Sequence, residues 1–139
     1  MKLNEIQQKL SVPKSHRNTF GNYNYRNCED ILEAVKPLLG DGKLILSDEV
    51  VQVGDRYYVK ATAIFIDGEK ETVVTAYARE SEDKKGMDSA QITGASSSYA
   101  RKYALNGLFL IDDGKDADSD DNTVSAETAP AVTNRFKRE

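Results

Sequence analysis

Two stretches of this chain combine the residue types that hold single-stranded nucleic acid. The first is 14–26, where Phe20, Tyr23 and Tyr25 are set among Lys14, His16, Arg17 and Arg26. Single strands are bound by cations that follow the phosphates and by aromatic rings under unstacked bases, and this segment carries both. It reads equally as a polar loop whose tyrosines cover the edge of a core. The second stretch is Lys84 and Lys85 together with Arg101 and Lys102, beside Tyr99 and Tyr103 one helical turn apart. A charge run of that kind is also what an ordinary solvated face looks like. Lys60 and Arg79 fall within strand-like segments and complete the candidate set.

Other chemistries find little support. One His and one Cys, His16 and Cys28, cannot assemble a zinc site of the usual kind. No Gly-rich loop ending in Lys-Ser/Thr is present, so neither ATP hydrolysis nor any other cofactor is expected. Asp112, Asp113, Asp116 and Asp118 suggest a nuclease metal set only on paper. Catalytic metals need carboxylates on rigid elements, and these open a solvated acidic tail. Ser96, Ser97 and Ser98 lack the base and the strained elbow of a nucleophile, and small residues inside a helix serve packing. The chain is not expected to be an enzyme.

The net charge of −4 is unevenly placed. Residues 112–139 hold eight acidic and four basic side chains, which leaves 1–111 balanced at fifteen against fifteen. Within 1–26, Lys2, Lys9, Lys14, Arg17 and Arg26 face Glu5 alone. Segregated charge says more about partners than the sum does. No apolar run approaches the roughly 20 residues that span a bilayer, and the N-terminus lacks the apolar stretch of a signal peptide. With a lone cysteine and no membrane partner, a cytoplasmic location is expected.

The elements that must position these residues follow from periodicity. Leu3, Ile6 and Leu10 mark a short helix that Pro13 ends. Asn27 is a good N-cap for a second helix, with Glu29 and Asp30 in its first turn. Ile31, Leu32, Val35, Leu38 and Leu39 form its stripe, and Pro37 should tighten the last turn. Three strands, 44–53, 56–66 and 71–79, are separated by Gly54-Asp55 and Asp67-Gly68, both hairpin signals. Pairing through those turns gives Leu44, Leu46, Val50, Tyr57, Val59, Ala61, Ala63, Phe65, Val74, Ala76 and Ala78 one face, the core. Ser47, Glu49, Val51, Tyr58, Lys60, Thr62, Thr75, Tyr77 and Arg79 share the other.

A long helix is expected over 87–106, breaking at Asn106-Gly107. Its phase places Ile92, Ser96, Tyr99 and Tyr103 on the sheet and turns Arg101 away from it, in a strip with Ala90, Gly94 and Ser97. On that phase, removing the Tyr103 ring should destabilise the domain, and removing the Arg101 side chain should spare the fold. The expected class is α+β: a three-stranded antiparallel sheet with helices packed on one face, in the order α-β-β-β-α. Residues 1–111 form one domain and 112–139 a disordered acidic tail.

The stretch 86–111 also resembles the ERF-type single-strand annealing proteins of bacteriophages. The matching residues are Met87, Asp88, Ala90, Gln91 and Gly94, the run from Ser97 to Leu105, and Gly107, Leu108 and Phe109. Upstream, Phe20, Gly21, Asn22, Tyr23, Asn24, Tyr25 and Arg26 and the segment 30–39 match as well, so the likeness covers about 14–111. It implies an annealase-like β-β-β-α core and an ATP-independent protein that coats single-stranded DNA and pairs it with a complementary strand. It further implies phage homologous recombination in the bacterial host cytoplasm and assembly into rings or filaments. A host or phage replication protein met through the tail is a further candidate partner. The same element order also belongs to double-stranded RNA-binding modules, which read A-form shape and carry a lysine pair near the last helix. A purely structural protein is the third alternative.

Overall fold

The computed structural model describes residues 1–81 and 88–112. Nine elements form among the described residues. In chain order these are α1 (Leu3–Lys9), β1 (His16–Asn18), β2 (Tyr23–Tyr25), α2 (Cys28–Val35), a 3₁₀ turn (Lys36–Leu38), β3 (Lys43–Val53), β4 (Arg56–Asp67), β5 (Lys70–Arg79) and α3 (Ser89–Phe109). The class is α+β, as the sequence implies. The described residues fall into two compact units, one within Met1–Val12 and Asn27–Ile111 and one of Pro13–Arg26 with Asp112. The expected acidic tail beyond Asp112 lies outside the described residues.

Local chemistry explains the first unit's elements. Asn27 caps α2 by accepting from the Asp30 N–H at 2.9 Å, while the Asp30 carboxylate accepts from the Asn27 N–H at 2.9 Å. Cys28, Ile31 and Val35 are buried, and Leu32, Leu38 and Leu39 pack against the same core. Pro37 falls within the 3₁₀ turn, the tightening expected of it.

Strand β4 is central, with β3 and β5 antiparallel on either side. Val53 pairs with Arg56, so the first turn is Gly54-Asp55 as expected, with Gly54 at φ +63°. Asp67 pairs with Lys70, so the second turn is Gly68-Glu69, one residue later than the sequence suggests. The left-handed turn residue is Gly68, at φ +63°. This moves each partner by two residues, and with a side-chain period of two the faces are unchanged. Val59, Ala61, Ala63 and Phe65 are buried on the inner face, with Leu44, Leu46, Val74, Ala76 and Ala78 packed around them. Tyr57 and Val50 share that face yet are exposed.

Helix α3 lies on β4 and β5 and also meets α2 and α1. Ser96, Ala100 and Ala104 are buried along its length, and their small side chains face the alanines of β4 and β5. A helix and a sheet this short of bulk can approach closely. The helix does not break at Asn106-Gly107 but runs on to Phe109 and ends at Leu110, which takes the left-handed conformation at φ 58°. Gly107 is there for space rather than for termination. A Cβ on it would stand 3.2 Å from Val74 Cγ1. Asp88 supplies the N-cap, accepting from the Gln91 N–H at 2.9 Å.

Candidate nucleic-acid interface

The outer face of the sheet, opposite α3, is built from cross-strand rows. Ile45, Ile64 and Val73 form one row, and Ser47, Thr62 and Thr75 the next. Glu49, Lys60 and Tyr77 follow, then Val51, Tyr58 and Arg79. Residues directly opposite on antiparallel strands stand about 5 Å apart at Cβ, so Lys60, Tyr77, Tyr58 and Arg79 form a square of alternating cations and rings. Tyr77 is 52% exposed and Arg79 is exposed. Lys60 Nζ lies 3.9 Å from Glu49 Oε2, a long and solvated ion pair that a phosphate can displace. Rings and cations on a rigid sheet can stack bases while neutralising the backbone between them. Lys60 and Arg79 were legible as candidates; Tyr58 and Tyr77 were assigned to this face but not to the site.

Helix α3 departs from the expected phase. Tyr99 and Tyr103 are 50% and 47% exposed, not packed on the sheet. Their rings stack on each other with centroids 6.3 Å apart, and Lys102 Nζ lies 5.5 Å from the Tyr99 centroid and 6.0 Å from that of Tyr103. The seam of the helix is instead Ile92, Ser96, Ala100, Ala104 and Leu108. Arg101 does not point into open space. Its Nε donates to both carboxylate oxygens of Asp48 on β3, at 3.0 and 3.2 Å, and Ser97 Oγ donates to the same carboxylate. With side chains 36% and 22% exposed, the Arg101–Asp48 pair fastens the helix to the edge strand. Asp48 carried no functional signal in the sequence, because an acid on the inner side of a strand reads as a break in the apolar alternation. Lys84 and Lys85 lie outside the described residues.

In the second unit, 14–26 is a hairpin rather than a loop, with His16 paired to Tyr25, Arg17 to Asn24 and Asn18 to Tyr23. The His16 and Tyr25 rings stack at 5.3 Å, and Tyr23 meets Tyr25 edge-on at 6.1 Å. Arg17 is exposed and Lys14 partly so. Arg26 is buried, with Nη2 donating to the Asp112 carbonyl at 3.5 Å, and its role is therefore structural.

Among the described residues no group of His, Cys, Asp and Glu could hold a metal ion, and no helix is long and apolar enough to cross a membrane. The Cys28 thiol is pushed above its ordinary pKa, first by burial and next by the neighbouring Glu29 carboxylate. A thiol so placed is a core group rather than a nucleophile.

A sequence model described as the ERF superfamily matches residues 1–138. The chain belongs to the ERF superfamily. It is 61% identical over 130 residues to the Essential recombination function protein of Salmonella phage P22, a match that takes in 94% of this chain and 63% of that protein. The chain thus spans a little under two thirds of the curated relative. No solved structure matches. The ERF resemblance seen in the sequence is correct, and its C-terminal stretch forms α3, with the small-residue seam on the sheet and the tyrosine pair on the flank.

Proposed function

We propose that this chain binds single-stranded DNA without sequence preference and anneals complementary strands during phage recombination. The close likeness to a phage recombination protein carries this reading. The square of Lys60, Tyr77, Tyr58 and Arg79 on the open sheet face supplies a surface suited to it, and the hairpin with Lys14, Arg17, Tyr23 and Tyr25 supplies a second. Annealing requires that strand repulsion be neutralised while base edges stay accessible. Contacts to phosphates and to ring faces do both, because neither consumes the Watson–Crick edge. No covalent step is involved, and neither nucleotide nor metal is needed.

On this reading the protein works in the bacterial host cytoplasm as a ring or filament, which holds many nucleotides in register. Residues 1–111 carry the DNA surface. The ERF match leaves the duplex-RNA alternative without support of its own.

Fluorescence anisotropy of a labelled oligonucleotide across a salt series tests the reading. Each phosphate contact to a single strand contributes about −0.7 to the slope of log affinity against log salt, so affinity should fall steeply and vary little with base sequence. A salt-insensitive affinity, or tight binding to one sequence alone, contradicts it.

A further inference from the structure

The hairpin of β1 and β2 carries at its tip an aromatic side chain that no fold requires. Phe20 is 101% exposed, the most exposed large apolar side chain among the described residues. A phenylalanine in that position forfeits the burial for which the residue is ordinarily used.

The tip that presents it is fastened. Asn18 and Tyr23 close the loop as the last paired residues. The Gly21 N–H donates to Asn18 Oδ1 at 2.9 Å, and Asn18 Nδ2 donates to Tyr23 Oη at 3.0 Å. Arg17 Nη1 donates to Asn24 Oδ1 at 3.1 Å, and its Nη2 donates to Asn22 Oδ1. Asn22 takes the left-handed conformation at φ 58°, which an asparagine tolerates. The Tyr23 ring fills the space beside Gly21, where a Cβ would fall 2.5 Å from Tyr23 Cε2. The Tyr25 ring meets those of His16 and Tyr23, and Phe20 is not among them. An exposed ring on a fastened loop is pre-organised, so a partner meeting it has less ordering cost to overcome.

The chemistry around the ring selects the partner. Residues 13–26 contain no acidic side chain, and their basic Lys14 and Arg17 reach solvent. A partner that is anionic and offers flat apolar faces fits such a tip, and unstacked bases on a phosphate backbone are that partner. We infer that Phe20 stacks on, or wedges between, the bases of bound single-stranded nucleic acid, while Lys14 and Arg17 face its phosphates. The inference rests on the single-strand reading above and names the contact that spaces the bases.

The chain contains no tryptophan, so Phe20→Trp creates a unique fluorophore at the tip. Adding oligothymidylate at low salt should quench its emission in step with binding measured by anisotropy. Phe20→Ala should weaken binding by about five- to hundredfold, the range that stacking on one base supplies, with the salt slope unchanged because no phosphate contact is lost. The side chain is wholly exposed, so circular dichroism of both variants should match the parent. Saturated binding with unchanged Trp emission and parental Phe20→Ala affinity would overturn the inference and leave the broader reading intact. A blue shift that follows protein concentration without DNA would also overturn it, in favour of a pocket on a second copy. If the parent chain bound no oligothymidylate, both readings would fall together.

Discussion

Two glycines on one helix test the packing of α3 on the sheet. Gly94 and Gly107 both lie within α3, and each costs about 1 kcal/mol relative to alanine on helix propensity alone. Their surroundings differ. A Cβ built on Gly94 meets nothing within 4 Å, whereas one on Gly107 stands 3.2 Å from Val74 Cγ1. Gly94→Ala should therefore recover the full propensity gain, about 1 kcal/mol, which raises Tm by roughly 4–8 °C for a domain of this size. Gly107→Ala gains the same propensity but must displace Val74 on β5 by a few tenths of an ångström. Overpacking typically costs about 1–3 kcal/mol, so the net effect should lie between zero and a loss of about 2 kcal/mol. Urea unfolding followed by circular dichroism at two protein concentrations separates folding from assembly. A gain at Gly107 equal to that at Gly94 would show that α3 does not lie on β5 as described. A loss at Gly94 that grows with protein concentration would show that its exposed side packs against another copy.

Tyr103→Ala should change unfolding free energy by less than about 1 kcal/mol because the ring is half in water, while Phe109→Ala, fully buried, should cost about 3–5 kcal/mol; the reverse order would restore the phase expected from sequence. Lys60→Ala and Arg79→Ala should each flatten the salt dependence of single-strand binding by about one phosphate's contribution, with unfolding curves little changed; unaltered slopes would remove the sheet face from the interface. Cys28 should resist alkylation in the native state and react readily in urea. Its raised pKa means that the folded chain keeps a proton which the unfolded chain releases, so stability should decline as pH rises past the ordinary thiol value; a flat or rising pH profile there would contradict the burial.

Local signals carried most of the fold. The Asn27–Asp30 cap, the Gly54-Asp55 turn and the alternation along β4 depend on neighbours in sequence and were legible there. The second turn was misplaced by one residue because Asp67-Gly68 and Gly68-Glu69 both put a glycine in a two-residue loop, and only the pairing with β5 decides. The phase of α3 misled for a different reason. Burial on a helix is usually read from bulk, which pointed to Tyr99 and Tyr103. Here the sheet opposite is lined with alanines, and the residues that fit it are Ser96, Ala100 and Ala104. Asp48 could not be foreseen, since its partner Arg101 lies 53 residues away. The hairpin was hidden because its strands are three residues long and its turn uses Asn22 rather than glycine at the left-handed position.

Annealing itself gives the most direct test. Two complementary oligonucleotides, labelled as a fluorescence donor and acceptor, are mixed with the purified chain in low salt, with EDTA present and no nucleotide. The expected result is a clear acceleration of duplex formation over the protein-free rate, reduced in the Lys60→Ala, Arg79→Ala double variant. No acceleration, or acceleration only when ATP and a divalent metal are supplied, would contradict the account.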